Sequence, residues 1–432
     1  MATPVSHDTP LHIVIVLDHA RITGGQAKVA FDSAIGLKRA GHEPIIFAAA
    51  GPIEQKLLDE GVRVVCLDQA DLLGNPSRAA AAMQGIWNIK AARELRRLLA
   101  TMPRGRTIVH VHGWAKALSP SIARPIIASR LPAVYTVHEY FLFCPNGGFY
   151  NYQSGHACKL TPLSLQCVST HCDSVNYPRK LWRSARQAIM LNVANLPEVF
   201  SDYIMISRFQ VGVVSQQLPK GVKIHQISNP IEVDQLGRKA NPASGDVIFV
   251  GRLSPEKGPF LFAEAARRIG IAPVFVGDGP LAGEIQARFP EARMLGWKSP
   301  REVRQIMRAA RALVFPSLWY EGQPLTVLEA KALGTPVIVA DGCAGREEIE
   351  HFSTGLWFRG ADPDALAGML IQAQNDELIT RLSHGAYDAF WQDPPSTQRH
   401  VERIVAVYDA MLEKVALPIV PIPQDFIQAS AA

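Results

Sequence analysis

The segment Gly251-Arg252-Leu253-Ser254-Pro255-Glu256-Lys257-Gly258 leaves a short apolar run and enters a helical pattern. Arg252 and Lys257 then sit on a loop beside the free N–H groups of a helix N-terminus. That arrangement suits a diphosphate, which needs concentrated positive charge and backbone donors. Two incidental cations on a solvated loop would be the plainer account, and the strand-loop-helix setting favours the phosphate one. A second segment, Glu321-Gly322-Gln323-Pro324-Leu325-Thr326-Val327-Leu328-Glu329, lies between the apolar run Ala312–Phe315 and another helical pattern. Pro324 suits a first helical turn, which leaves Glu321 in the loop and puts Glu329 about a turn and a half into the helix. The backbone N–H groups from Gly322 through Leu325 are predicted to face a cleft. Helix capping and a solvated charge explain either carboxylate alone, and both together less well.

Four of the six cysteines, Cys144, Cys158, Cys167 and Cys172, fall within 29 residues. A structural zinc clip, with His156 and His171 as substitute ligands, is one reading; reduced, partly buried thiols are the other and the favoured one, because no pair has the tight spacing of a zinc ribbon. His110 and His112 share one strand face and read as cleft wall rather than metal ligands. The triplet Asp362-Pro363-Asp364 has the form of a metal motif, yet it opens a helical stretch and reads as a cap.

These residues are positioned by alternating elements. Strands are predicted at 11–17, 44–48, 62–67, 107–112, 133–137 and 203–206, then at 246–250, 273–276, 312–315 and 336–340, with helical pattern between most of them. Such alternation predicts an α/β protein with parallel sheets covered on both faces. The polar, turn-rich stretch 229–245 divides the chain into an N-terminal unit, 1–228, carrying an insert at 139–200, and a C-terminal unit, 246–395. The remainder, 396–432, is expected to be a helix and tail returning to the first unit. Two sheets facing each other would enclose a cleft beyond their strand ends.

The 432 residues are 48% hydrophobic and 19% charged, a globular balance. No apolar run is long enough to span a bilayer, and the first residues lack the marks of a secretory leader, so a cytoplasmic place is expected. Residues 1–229 hold 24 Lys/Arg against 14 Asp/Glu, whereas 230–432 hold 20 against 25. The basic half shows no zinc-finger or RNA-binding motif, so nucleic acid is not expected and a membrane surface or acidic substrate is. The cations of 86–99 read as the solvated face of a sheet-covering helix. Those of 177–196, Arg179, Lys180, Arg183 and Arg186 around Trp182, read as a basic helix for an anionic membrane.

The segments Gly251–Gly258, Gly277-Asp278-Gly279-Pro280 and Glu321–Glu329, in that order and spacing, resemble the retaining nucleotide-sugar glycosyltransferases of family 4, which have the two-domain GT-B fold. Asn229-Pro230-Ile231 before the hinge, Gly24-Gly25 after the first strand and His138 at a strand end also match. The resemblance implies two Rossmann-like domains. It also implies that Arg252 and Lys257 hold the donor diphosphate, Glu329 the ribose hydroxyls, and Glu321 the transferred sugar together with the backbone of Gly322, Gln323, Pro324 and Leu325. Gly277, Asp278, Gly279 and Pro280 would lie near the base, Gly24 and Gly25 near the phosphate or acceptor, and His138 across the cleft from the sugar. No metal is implied for catalysis. Where the family often has His-Asp, this chain has His138-Glu139, and Ala344-Gly345 stands where Gly-Gly is frequent. The expected activity is sugar transfer from a nucleoside-diphosphate sugar to a polysaccharide or lipid-linked glycan precursor. A nucleotide-sugar epimerase, a glycoside hydrolase using Glu321 and Glu329, and a non-catalytic nucleotide-binding module are the alternatives.

Overall fold

Runs such as Ile13-Val14-Ile15-Val16-Leu17 are buried on both faces, as a strand in a doubly covered parallel sheet must be. In the computed structural model, which describes residues 9–416, they build two such sheets. The first takes β1 (His12–His19), β2 (Glu43–Ala50), β3 (Arg63–Cys66), β4 (Thr107–Val111), β5 (Ala133–Val137), β8 (Asp202–Met205) and β9 (Lys223–Gln226), in the order β3-β2-β1-β4-β5-β8-β9. The second takes β10 (Val247–Val250), β11 (Val274–Val276), β12 (Arg293–Gly296), β13 (Ala312–Phe315), β14 (Val337–Ala340) and β15 (Gly355–Phe358), in the order β12-β11-β10-β13-β14-β15. A two-stranded hairpin, β6 (Tyr150–Asn151) with β7 (His156–Ala157), stands apart within the insert.

In both sheets the strand order reverses beside the first strand, between β1 and β4 and between β10 and β13. Ligands bind open α/β sheets at such reversals, outside the carboxyl ends of the strands. The loops that leave these four strands are those carrying Gly24-Gly25, Gly113, Arg252 to Lys257, and Glu321.

Period-two alternation splits the first sheet's core. Val14, Val16, Val109 and Tyr135 face one side, with the helices Ile89–Ala100 and Ala123–Ser129. Ile13, Ile15 and Ile108 face the other, with Gly25–Arg39 and the last helix, Thr397–Ala416. That last helix lies so close to Gly25–Arg39 that a Cβ on Gly36 would come 2.6 Å from the Val401 side chain. The stretch after Ala416, including the Pro-spaced tail, lies outside the described residues.

Three strands and the hairpin go beyond the sequence expectation. β9 is an edge strand whose Lys223, Ile224 and Gln226 are exposed, and Arg293 opens another edge strand, β12, so neither shows the apolar run of a buried strand. His110 is corrected as well: it does not line the cleft. Its ring is buried, with Nδ1 2.6 Å from Tyr408 Oη of the last helix and Nε2 2.7 Å from Thr136 Oγ1.

The largest correction concerns the helix Tyr177–Ile189. Three of its four cations, Lys180, Arg183 and Arg186, point inward, and Arg179 is half-buried, so no continuous basic face meets solvent. Lys180 Nζ lies 3.4 Å from Cys167 Sγ, and Arg183 pairs with the buried Asp173 at 3.0 Å and donates to Asn146 Oδ1 at 2.7 Å. Arg186 donates to the Ala115 carbonyl at 2.8 Å while its guanidinium rests 5.0 Å from the Trp182 ring, 5.2 Å from Phe141 and 5.5 Å from Trp114. The insert beneath the helix carries an acid and polar groups that need partners, and the helix supplies them. Leu181 and Ala185 face outward in their place.

Candidate functional site

The loop after β10 is held by glycines that allow backbone to touch backbone. Leu253 N–H donates to the Asp278 carbonyl at 2.9 Å, and Leu281 N–H to the Leu253 carbonyl at 3.0 Å. Gly277 has φ +136°, and a Cβ there would lie 2.0 Å from the Gly251 oxygen. Gly251–Leu253 and Gly277–Pro280 are thus one double-layered edge rather than two separate loops. Gly258, at φ +68°, would drive a Cβ to 2.2 Å from the Pro316 carbonyl, so the chain after Lys257 presses onto the end of β13.

That contact brings Lys257 to Glu321. Lys257 Nζ hydrogen-bonds Glu321 Oε1, which also accepts from Ser317 Oγ at 2.9 Å, and the ammonium lies 5.1 Å from the Trp319 ring centre. Glu256, buried beside it, accepts from Ser254 Oγ at 2.7 Å and turns away from this cluster. Arg252 is exposed and makes no ion pair with a carboxylate among the described residues. The helix after this loop begins at Leu325 with Pro324 as its extended flanking residue, one position before the first turn expected for it, and no side chain caps it. Pro324 has no N–H, so the donors along this stretch come from Gly322, Gln323, Leu325 and Thr326. Glu329 lies on the same helix, where burial raises its pKa while Lys28 and Arg304 oppose the rise.

The N-terminal unit closes on this edge. A Cβ on Gly322 would lie 2.5 Å from Gln210 Nε2, which donates to the Val137 carbonyl at 2.8 Å. Val137 precedes His138. Gly25 comes within 3.6 Å of the Leu325 side chain by the same measure, and Asn229 N–H donates to Gln323 Oε1 at 2.7 Å. Asn229 Oδ1 is buried without a partner among the described residues. His138 Nε2 lies 2.9 Å from His112 Nδ1, their rings stacked 5.1 Å apart, and burial lowers the His138 pKa to about 3. Glu139 pairs with Lys116. The helix starting at Gly25 has no side-chain cap either, and Gln26 in its first turn donates to the His112 carbonyl above Gly113.

The structure therefore brings Arg252, Lys257, Glu321, Gly322–Leu325 and Gly277–Pro280 to one edge, and Gly24, Gly25, Asn229 and His138 to the opposing wall. Sequence reasoning missed four contributors. Lys28 and Arg304 flank Glu329, Gln210 bridges Val137 to Gly322, and Trp319 lies over Lys257. Lys28, one turn after Gly24-Gly25, was the most legible of these. The insert also reaches the site: a Cβ on Gly148 would lie 2.8 Å from Trp319, and Phe149 lies 6.3 Å from the Tyr320 ring. Its Cys144, Cys167 and Cys172 are buried and Cys158 half-buried, all as free thiols. Among the described residues no group of three His, Cys, Asp or Glu side chains is placed to hold a metal ion. Asp362 caps its helix through Asp364 N–H at 2.9 Å, away from this edge.

Two Rossmann-like sheets meeting at their switch points give the molecule the GT-B architecture. Two family models adjoin along the chain, glycosyltransferase family 4 over residues 23–235 and glycosyl transferases group 1 over 236–388, and the chain belongs to this glycosyltransferase family. It is 30% identical over 206 residues to an Escherichia coli UDP-Gal:alpha-D-GlcNAc-diphosphoundecaprenol alpha-1,3-galactosyltransferase, covering 44% of this chain and 50% of that protein. It is 28% identical over 183 residues to a Mycobacterium tuberculosis GDP-mannose-dependent alpha-mannosyltransferase, covering 40% and 48%. The chain thus spans about half the length of the curated relatives it matches. Among solved structures, Anabaena Alr3699/HepE in complex with UDP-glucose aligns with TM-score 0.64 at 16% identity, over 93% of this chain and all of that one. The sucrose-phosphate synthase of Thermosynechococcus elongatus aligns with TM-score 0.68 at 16% identity, over 94% of this chain and 100% of that one.

Proposed function

We propose that this protein moves a sugar from a nucleoside diphosphate to an acceptor hydroxyl with retention of anomeric configuration. The observation that carries the reading is the Lys257–Glu321 contact beside the free Arg252, facing a wall that holds His138. As the C1–O bond to the diphosphate breaks, its electron pair passes to the phosphate oxygen. A new C1–O bond forms to the acceptor, whose hydroxyl proton leaves to the diphosphate. Negative charge grows on the diphosphate and positive charge on the sugar ring, so Arg252 and Lys257 stabilise the first and Glu321 the second. Leu325 and Thr326 N–H groups at a helix start add donors for the phosphates. Glu329 would hold the ribose hydroxyls, and Gly277–Pro280 would line the base.

These fixed cations do the work of a metal ion in this scheme, and catalysis is expected to persist in a chelator. A hydrolase using the two carboxylates leaves Arg252 and Lys257 without a task. Relatives that use undecaprenol-linked and mannosyl chemistry support a glycan or lipid-linked acceptor for this chain too. The test is a thermal-shift panel of UDP, GDP and ADP and their sugars, followed by product analysis with the donor that stabilises the fold. A new glycoside with the donor's anomeric configuration is expected. Release of free sugar alone, or an epimerised donor, would replace this reading with one of its rivals.

A further inference from the structure

Residues 78–130 hold ten Lys or Arg and a single carboxylate, Glu94. Two helices of this stretch, Ile89–Ala100 and Ala123–Ser129, lie side by side on one face of the first sheet and bury Leu95, Leu98, Leu99, Ile122 and Ile126 beneath them. Their outer faces carry the cations. Arg93 and Arg97 share Glu94 at 3.3 and 2.8 Å and are still mostly exposed. Arg96, Arg104 and Arg130 make no ion pair with a carboxylate among the described residues, and Glu198 borders the face beyond Arg130. Arg124 donates to the Val193 carbonyl at 3.0 Å, which joins the turn Met190–Ala194 to the same surface.

Large apolar side chains protrude between these cations. Ile89 is 71% exposed, Ile127 51% and Val193 50%. The core beneath is already filled by Leu95 and Ile126, and what points to a bilayer is the combination of these apolar side chains with the surrounding cations on one face. Between the two helices runs a groove of about 360 Å³ whose rim is Arg96 and Arg104 and whose floor is Leu99, Met102, Pro125 and Leu131. An anionic phosphate with an apolar chain attached matches that rim and floor. Nucleic acid would be met by the charge but not by the protruding isoleucines.

We propose that this face docks on an anionic phospholipid bilayer, with the Arg96–Arg104 groove taking a lipid phosphate. The surface thus lies on the helix read from sequence as merely solvated, and not on Tyr177–Ile189. The proposal deepens the assigned activity by placing it at a membrane where a lipid-linked acceptor resides, and rests on that activity only for its purpose.

Co-sedimentation of the whole protein with phosphatidylcholine vesicles, with and without phosphatidylglycerol, at low and high salt, is the test. Binding is expected only with phosphatidylglycerol, weakened by salt. The double variant Arg96→Glu, Arg104→Glu should lower partitioning by on the order of tenfold or more, and Ile89→Ser with Ile127→Ser should abolish the part that survives salt. All four positions are at the surface, so unchanged melting temperatures are expected and show that the fold is intact. Absence of vesicle binding at low salt, unchanged binding in the Arg variant, or preferential binding to duplex DNA over vesicles would each overturn the proposal. A nucleotide-induced thermal shift in the same preparation tests the activity separately: a protein that shifts with nucleotide sugar and ignores vesicles loses only the docking surface.

Discussion

Lys257 is tied to Glu321 rather than left to solvent, and that fixes how each should respond to mutation. The carboxylate holds the ammonium in place, and in the proposed function a diphosphate would take the cation's remaining donors. Because charge on the leaving group grows toward the transition state, Lys257→Ala and Arg252→Ala should each lower kcat more than they weaken donor binding. Each loss is expected to be on the order of 3 kcal/mol. Glu329→Ala should act mainly on donor binding, since it lies on the helix behind the loop of Glu321, where the charges of Lys28 and Arg304 favour its carboxylate. Steady-state kinetics with the donor found by thermal shift separates the two patterns, and near-normal turnover in both cation variants would remove the phosphate assignment. The placement of Arg252, Lys257 and Glu321 at one edge was legible because charged types on strand-to-helix loops follow a local rule. Arg304 and Gln210 were not, because their tasks arise only when elements distant in sequence are folded together, and Lys28 was signalled only by its place one turn after Gly24-Gly25.

At the scale of elements, a charged pattern on a helix does not say which way it faces. The helical periodicity of Tyr177–Ile189 is legible and its orientation is not, since an ordinary rule places cations outside and this helix turns Lys180, Arg183 and Arg186 toward the buried Asp173, the thiols and the aromatic rings of the insert. The two buried arginines differ in kind. Arg183 neutralises Asp173, whose side chain is fully buried, whereas among the described residues Arg186 meets a carbonyl and three aromatic rings and no paired carboxylate, and burial lowers its pKa to about 9. Removing one partner of a buried pair strands the other charge, while replacing a buried cation that has no counter-ion need not. Arg183→Met should therefore cost about 3 kcal/mol or more, and Arg186→Met should cost clearly less; urea unfolding measures both, and equal losses would mean that Arg186 is held by more than its rings. Gly258→Ala tests the neighbouring loop. The added Cβ meets the Pro316 carbonyl and a left-handed backbone, so a loss of at least about 1 kcal/mol is expected, with Lys257 displaced from Glu321 and turnover reduced.

Across the whole molecule, the last helix links the two ends of the chain through buried histidines. His400 lies 2.9 Å from Ser33 Oγ and 2.9 Å from the Ser228 carbonyl, and His110 reaches Tyr408. Burial lowers His400 to about 4, with Asp32 and the Ser228 carbonyl opposing and Arg403 assisting. His138 falls to about 3, and His110 and His112 lie well below the ordinary value, each mainly through burial. In the unfolded chain all four would take up a proton near pH 6.5. Between that value and about 4 the unfolded state binds more protons than the native one, so stability is complete above about 6.5 and is lost as the pH falls. Each histidine contributes at most about 1.4 kcal/mol per pH unit across that window. Acidic side chains also titrate there, and a single substitution isolates the histidine share. His400→Gln keeps a donor for the Ser228 carbonyl but cannot take a proton, so its melting temperature should fall less steeply from pH 6.5 to 4.5 than that of the natural chain. Parallel slopes would show that His400 already takes its proton inside the fold, and that the contact between the last helix and the first sheet is indifferent to acid.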